Sequence, residues 1–163
     1  DMGLRSLIPP DRAAAHDCTL SSLALGQQSV GVTSLELTAA YTTLYGGLYR
    51  AAVSSHRVLD REGNVLLENR PAPHRVLSEE TAAILTRLLM EVNSTENGGT
   101  AARYLHETPS LGIETAGKTG TTQGSCDRRY IGMTPRLLAG VWMGYDYPAR
   151  QDGIKGNPCV GIC

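Results

Sequence analysis

GKTGTTQGSCDRRYIGMTPRLLAGVWMGYD, residues 117–146, is the stretch on which the fold turns. It reads as three extended segments: 114–121, 128–133 and 137–145. The connections between them are too short for a parallel crossover, so the strands should form an antiparallel meander. Residues 137–145 are apolar on both faces, which predicts a strand inside the sheet with helices covering it. On the first strand Lys118, Gly120 and Thr122 point one way, and Thr119 and Thr121 the other. A lone lysine is usually surface decoration, and Lys-Thr-Gly triplets arise by chance. The combination carries more meaning. Gly120 lets a ligand's backbone come close to the strand, and a cation with hydroxyls at a strand edge can hold a carboxylate. An exposed backbone N–H near Thr121 can stabilise an oxyanion. Thr122, in line with Lys118, divides evenly between ligand contact and strand packing.

Upstream, Thr33 has the form of a helix N-cap, because Glu36 stands three residues on and completes a capping box. The helix that follows is mostly apolar (Leu35, Leu37, Ala39, Ala40, Leu44). Its near-absence of charge predicts burial on most sides until Gly46-Gly47 stops it. Residues 48–59 and 65–67 read as extended segments of a hairpin, closed by Asp60-Arg61-Glu62-Gly63-Asn64. Ser78 caps a second helix, with Glu79 and Glu80 at the positive end of its dipole. Its apolar positions, Ala82, Ile84, Leu85, Leu88, Leu89 and Val92, keep the helical period and leave Arg87 and Glu91 outside. A loop over 93–99 leads to a short helical turn at Thr100-Ala101-Ala102. Residues 1–31 read as irregular. No repeat and no linker marks a second domain in the 163 residues.

Fifteen Lys and Arg against 16 Asp and Glu give a formal net charge of −1, which leaves no footprint for nucleic acid and no polybasic face for a membrane. A hydrophobic fraction of 41% with 19% charged residues suits a packed core rather than disorder. The 18 Gly and eight Pro point to many turns and close backbone contacts. The longest apolar run, 137–145, falls short of the roughly 20 residues of a membrane span. The opening DMGLRSLIPPDR lacks the cationic start and apolar middle of an export signal. Neither feature is expected in this stretch. Cys18, Cys126, Cys159 and Cys163 form no C-x-x-C pair; free thiols are the first reading, with a disulfide and a metal behind it. His16, His56, His74 and His106 are scattered and read as ordinary surface or core residues. Ser125-Cys126-Asp127 reads as loop rather than as part of a triad, and Trp142 as core rather than as a substrate platform.

The surroundings of the Lys-Thr-Gly triplet add weight to it. Residues 117–146 resemble the end of the transpeptidase domain of penicillin-binding proteins, above all the class A, bifunctional group. In that family the Lys-Thr-Gly-Thr strand is followed by a hairpin, an Asp-led strand ending Gly-x-Thr-Pro, and a Val-Trp-x-Gly-x-Asp strand. The corresponding residues are Asp127, Gly132-Met133-Thr134-Pro135 and Val141-Trp142-Met143-Gly144-Tyr145-Asp146. LALGQQSVGVTSLELTAAYTTLYGG, residues 23–47, is similar to the family's Ala-Leu-Gly segment and Thr-x-Leu-Glu-Leu helix. Asn97-Gly98-Gly99-Thr100-Ala101 resembles its Gly-Thr-Ala turn. There are two departures. Arg128-Arg129 stand where the family usually has Ala-Trp. The tail with Cys159 and Cys163 lies where the family has a Gly-rich stretch leading to a last helix, which this chain is expected to lack.

The resemblance implies an α+β fold, an antiparallel sheet flanked by helices, of the penicillin-binding transpeptidase and serine β-lactamase type. Residues 1–163 would be the C-terminal part of one such domain. The implied reaction is serine D,D-transpeptidation, which cross-links peptidoglycan stem peptides ending in D-Ala-D-Ala; β-lactam antibiotics would acylate the same site. Lys118 is then the catalytic cation beside the nucleophile, and Thr119 and Thr121 hold the substrate's terminal carboxylate. Gly120 and Thr122 complete the substrate-binding strand, and the Thr121 N–H forms half of the oxyanion hole. Neither a metal nor an organic cofactor is implied, and no nucleic acid. The family's Ser-x-x-Lys and Ser-x-Asn motifs have no match in residues 1–163. The nucleophile is therefore expected upstream, in an N-terminal part of the same protein. The implied location is the extracytoplasmic side of the bacterial cell membrane, anchored through a segment outside this chain. The alternatives are a D,D-carboxypeptidase or β-lactamase relative, in which water takes the acyl group, and a non-catalytic wall-binding or sensor module.

Overall fold

The computed structural model of the chain describes residues 1–12, 16–26, 28–105 and 112–163, so His106 lies outside the described residues. They divide into two units: Asp1–Thr43 with Gly47–Val76, and Leu44–Gly46 with Leu77–Cys163.

In the first unit, residues expected to be irregular contain a short helix, α1 (Leu20–Leu25), capped by the Thr19 hydroxyl. The capping box forms as expected and starts α2 (Ser34–Tyr41). The Thr33 hydroxyl accepts the Glu36 N–H at 3.1 Å, and the Thr33 N–H donates to the Glu36 carboxylate at 3.2 Å. That carboxylate also takes the Ser6 hydroxyl, which, ahead of the Thr33 N–H, holds it below the usual carboxylate range. The expected burial is met in part: Ala39 and Ala40 are buried, Leu37, Thr38 and Tyr41 are half-buried, and Leu35, at the start of the helix, is exposed. After α2 come a 3-10 turn, Thr42–Leu44, and then Gly46 and Gly47 in the left-handed region that favours glycine. The expected segment 48–59 divides into β1 (Leu48–Tyr49) and β2 (Arg57–Leu59), which serve different ladders. The expected hairpin joins β2 to β3 (Val65–Glu68), with the Asp60 carboxylate accepting the Asn64 N–H at 2.7 Å. The first strand, β1, pairs antiparallel with β4 (His74–Arg75).

Asp17 organises the start of this unit. It is 1% exposed, and its carboxylate accepts the Ile8 N–H at 2.9 Å and the Ser29 N–H at 2.6 Å. The Ile8 bond, followed by that from Ser29, holds the carboxyl below the usual carboxylate range. A depressed folded-state pKa contributes stability that is present above the unfolded value, 3.8, and is lost as pH falls through the folded one. Asp17→Asn, which presents an amide to two N–H donors, is therefore expected to lower the melting temperature at neutral pH. The gap from the unsubstituted protein should close in strong acid. Thermal unfolding followed from pH 7 to pH 2 checks this; a gap that does not change with pH contradicts it.

In the second unit, Ser78 caps α3 (Glu79–Met90) as expected, its hydroxyl accepting the Thr81 N–H at 3.1 Å. Arg87 and Glu91 stand outside, also as expected. The inward face differs. Ala82 is fully buried, whereas Ile84 and Leu88 are 63% and 61% exposed. The apolar arc of α3 is wider than the surface of β5 (Ala116–Thr121) against which it packs. A short helix, α4 (Ala102–Leu105), forms where a helical turn was expected.

The meander is present. The order β5, β6 (Arg128–Met133), β7 (Leu138–Met143) is antiparallel throughout, with Lys118 opposite Ile131, Thr121 opposite Arg128, and Arg129 opposite Trp142. The central strand is β6, not the 137–145 strand. In the described sheet β7 lies at the edge, with Ala139, Gly140 and Trp142 exposed. Small residues make the run apolar without requiring cover on both faces. Trp142 is 40% exposed, against its expected place in the core, and its Nε1–H donates to Asp127 at 2.9 Å. The chain also has a helix where none was expected: α5 (Cys159–Ile162) packs on β6 and β7. Its Cys159 and Val160 join Ala101 and Tyr130 in the core of this unit. The four cysteines are free of disulfides, and Cys159, pushed up by burial, is the buried thiol. Among the described residues no helix is long and apolar enough to cross a membrane.

Candidate active site

The β5–β6 ladder decides which groups of the Lys-Thr-Gly-Thr strand face outward. Thr122 N–H donates to the Asp127 carbonyl at 3.0 Å, just past the end of the strand. Antiparallel pairs alternate between bonded and non-bonded. Gly120 opposite Arg129 is therefore a bonded pair, and Thr121 opposite Arg128 is not. The N–H groups of Thr119 and Thr121 thus point away from β6, toward the open edge of β5.

The side chains sort by face as the sequence predicts. Thr119 and Thr121 line a cleft of about 1090 Å³ with Gly98, Thr100, Arg128 and Asn157. The Thr119 and Thr100 hydroxyls are 2.8 Å apart. Gly99 brings Thr100 there, because a Cβ at 99 would lie 2.3 Å from the Val92 carbonyl oxygen, closer than any side chain could pack. Lys118 is exposed, and its Nζ donates to the Thr119 carbonyl at 2.8 Å, along the same edge. Gly120 faces open space: a Cβ there would meet only the Arg129 Cβ, at an ordinary 3.6 Å. Nothing inside the fold requires a glycine at 120. Thr122 stands apart from the cleft. Its hydroxyl accepts the Asp127 N–H at 2.9 Å and donates to the Asp127 carboxylate at 3.2 Å, closing the hairpin.

Two cleft residues were not among the sequence candidates. Arg128, noted there only as a departure, is 4% exposed. Its guanidinium donates to the Gly156 carbonyl at 2.7 Å, the Ile154 carbonyl at 3.1 Å, the Ser125 carbonyl at 3.4 Å and the Gln151 side-chain oxygen. Among the described residues these four acceptors are neutral, and Arg128 lines the cleft with Thr121. Asn157, on the approach to α5, donates its side-chain amide to the Gly120 and Arg129 carbonyls. Behind the cleft, burial pushes the Tyr130 phenol up; it remains protonated and donates to Asn93 at 2.8 Å. A Cβ at Gly117 would lie 2.3 Å from that phenol oxygen, so Gly117 makes its room. Hydroxyls, the Lys118 cation and outward N–H groups along one strand edge, with Arg128 lining the cleft from β6, can hold a carboxylate and meet a developing oxyanion.

The penicillin binding protein transpeptidase domain family matches residues 8–151. Penicillin-binding protein 1A of Clostridium botulinum is 34% identical over 157 residues, 95% of this chain and 18% of the relative. Penicillin-binding protein 2D of Bacillus subtilis is 38% identical over 144 residues, 86% of this chain and 20% of the relative. The chain thus spans about a fifth of the length of these relatives. Among solved structures, penicillin-binding protein 3 of Mycobacterium tuberculosis, complexed with ampicillin, has the same fold at a TM-score of 0.70 and 24% identity, over 99% of this chain and 40% of that one. Penicillin-binding protein 1A of Haemophilus influenzae gives a TM-score of 0.67 at 22% identity, over 89% and 27%. The family match takes in both the sheet and most of the cleft built on it, and the chain belongs to the penicillin-binding protein transpeptidase domains.

Proposed function

We propose that this chain forms one wall of a serine D,D-transpeptidase site, which cross-links peptidoglycan stem peptides and is acylated by β-lactams. The observation that carries the reading is the open edge of β5, where Thr119 and Thr121 share a cleft with Arg128 and turn their N–H groups outward. A stem peptide ending in D-Ala-D-Ala lies along this edge. Thr119 and Thr121 hold its terminal carboxylate, and Gly120 leaves room for its backbone. A serine outside residues 1–163, supplied by an N-terminal part of the same protein, attacks the penultimate D-Ala carbonyl. The oxygen of that carbonyl becomes the oxyanion, received by the Thr121 N–H and by the serine's own N–H. Lys118 balances charge beside the serine. Collapse breaks the C–N bond and the leaving D-Ala amine takes the proton given up by the serine hydroxyl; an acceptor amine then displaces the serine ester, its proton returning to the serine oxygen. In a β-lactam the strained ring amide takes the place of the scissile bond. The site works on the outer side of the bacterial cell membrane, with its anchor outside this chain. Thr122 serves the hairpin rather than the ligand.

Incubating the complete protein with penicillin and mapping its peptides by mass spectrometry tests this. One covalent adduct per molecule is expected, on a serine outside residues 1–163. An adduct on a serine within them overturns the placement of the nucleophile, and no adduct favours a wall-binding or sensor module. Release of free D-Ala with no cross-linked dimer favours a carboxypeptidase.

A further inference from the structure

The Thr121 N–H shares its peptide group with the Gly120 carbonyl, and in a trans peptide the two point in opposite directions. The carbonyl lies in the gap between β5 and β6, where it belongs to the bonded pair with Arg129. The Asn157 amide reaches into that gap. Its Nδ2 donates to the Gly120 oxygen at 3.2 Å and to the Arg129 oxygen at 2.8 Å, bridging the two strands at the level of the cleft. Its Oδ1 accepts the Cys159 N–H at 3.2 Å, which fixes the rotation of the amide and settles which end is the donor. Asn157 is 6% exposed, and it is delivered to this place by Arg128, which grips the carbonyls of Ile154 and Gly156 just before it. The segment 154–159 is therefore fastened to the Gly120–Thr121 peptide, whose N–H points to the open edge of β5.

Resting on the transpeptidase reading above, we propose that Asn157 is a positioning residue for acylation. By holding the Gly120 carbonyl it fixes the plane of the Gly120–Thr121 peptide, and with it the direction of the Thr121 N–H. A carbonyl that accepts an additional hydrogen bond also polarises its own peptide group, which makes the N–H at the other end a stronger donor. Both effects count most when charge develops on the substrate oxygen, so they belong to the rate of acylation rather than to the affinity of first binding.

The test separates this role from the bond that the Asn157 Oδ1 accepts from the Cys159 N–H. Asn157→Asp keeps the acceptor for the Cys159 N–H and removes the donor; Asn157→Ser keeps an acceptor oxygen and is too short to reach either carbonyl. Acylation of the complete protein by a fluorescent penicillin is followed in stopped flow and divided into the initial dissociation constant and the first-order acylation rate. Both variants are expected to lose about tenfold to a hundredfold in the first-order rate. The initial dissociation constant should change less than threefold; both variants should melt lower, Asn157→Asp the more because its carboxylate faces two carbonyl oxygens, and the rates are therefore measured well below those transitions. Where Asn157→Asp fails to fold, Asn157→Ser carries the test. First-order rates equal to that of the unsubstituted protein overturn the proposal, as does a loss confined to the dissociation constant. Lys118→Ala is measured alongside. A protein that forms no acyl adduct at all refutes the transpeptidase reading itself, whereas one that is acylated and slowed by Lys118→Ala but indifferent to both Asn157 variants refutes only the role of Asn157.

Discussion

Lys118→Ala in the complete protein is expected to slow acylation by a fluorescent penicillin about thirtyfold to a thousandfold, with almost no change in melting temperature. The two halves of this expectation have separate origins. Lys118 is exposed and its hydrogen bond goes to the carbonyl of the next residue, so the sheet does not depend on it. In its proposed role as the cation beside the nucleophile it would stabilise charge that exists only in the transition state, and removing such a contact costs roughly 2–4 kcal/mol there. Lys118→Arg should recover little of the rate, because a planar guanidinium does not reproduce the compact ammonium. Unchanged acylation kinetics for Lys118→Ala would remove this residue from the mechanism.

Arg128→Ala should produce the largest loss of stability, about 2–4 kcal/mol in urea unfolding. The guanidinium serves four acceptors, and deleting it leaves the Gly156, Ile154 and Ser125 carbonyls and the Gln151 oxygen without their donor. A buried acceptor left unpaired costs about 1–3 kcal/mol, less where water can enter. Gln151 is itself buried and bonds the Cys126 and Met143 carbonyls, so the loss spreads to the ends of β6 and β7. Arg128→Lys should restore only part, since an ammonium has three donors and no fork. Alanine is the residue that the family resemblance places here, yet in this chain the tail is built around the arginine. Stability within 0.5 kcal/mol of the unsubstituted protein would show that the network contributes nothing.

How much was legible in the sequence followed the range of each interaction. The Thr33–Glu36 and Ser78 caps, the Asp60–Asn64 turn and the three strands of the meander are set by residues a few positions apart, and all were readable. The division of Thr119 and Thr121 from Lys118 and Gly120 needed only the alternation of a strand. The misreadings concern partners far along the chain. Arg128 stands out in the sequence only as a departure from the family's pattern, and three of its four acceptors come from residues 23 to 28 positions later. Asn157 lies 37 residues from the glycine it holds. Its own neighbourhood carries no sign of that. The exposed side of α3 and the edge position of β7 failed for a related reason: an apolar face indicates that something can cover it, but not what does.

Gly99, which lines the cleft, and Gly120, on the opposite face of β5 from Thr119 and Thr121, have opposite reasons for having no side chain. At 99 the carbonyls of Val92 and Glu91 occupy the space a Cβ would need, so the backbone itself forbids any replacement. At 120 the space is free, and only an incoming molecule would be obstructed. Variation therefore has unequal room at the two positions. The Gly98–Thr100 wall is closed to it at its tightest point, while the strand can carry a side chain at 120 without unfolding, and on the proposed reading that side chain would stand where a ligand's backbone passes.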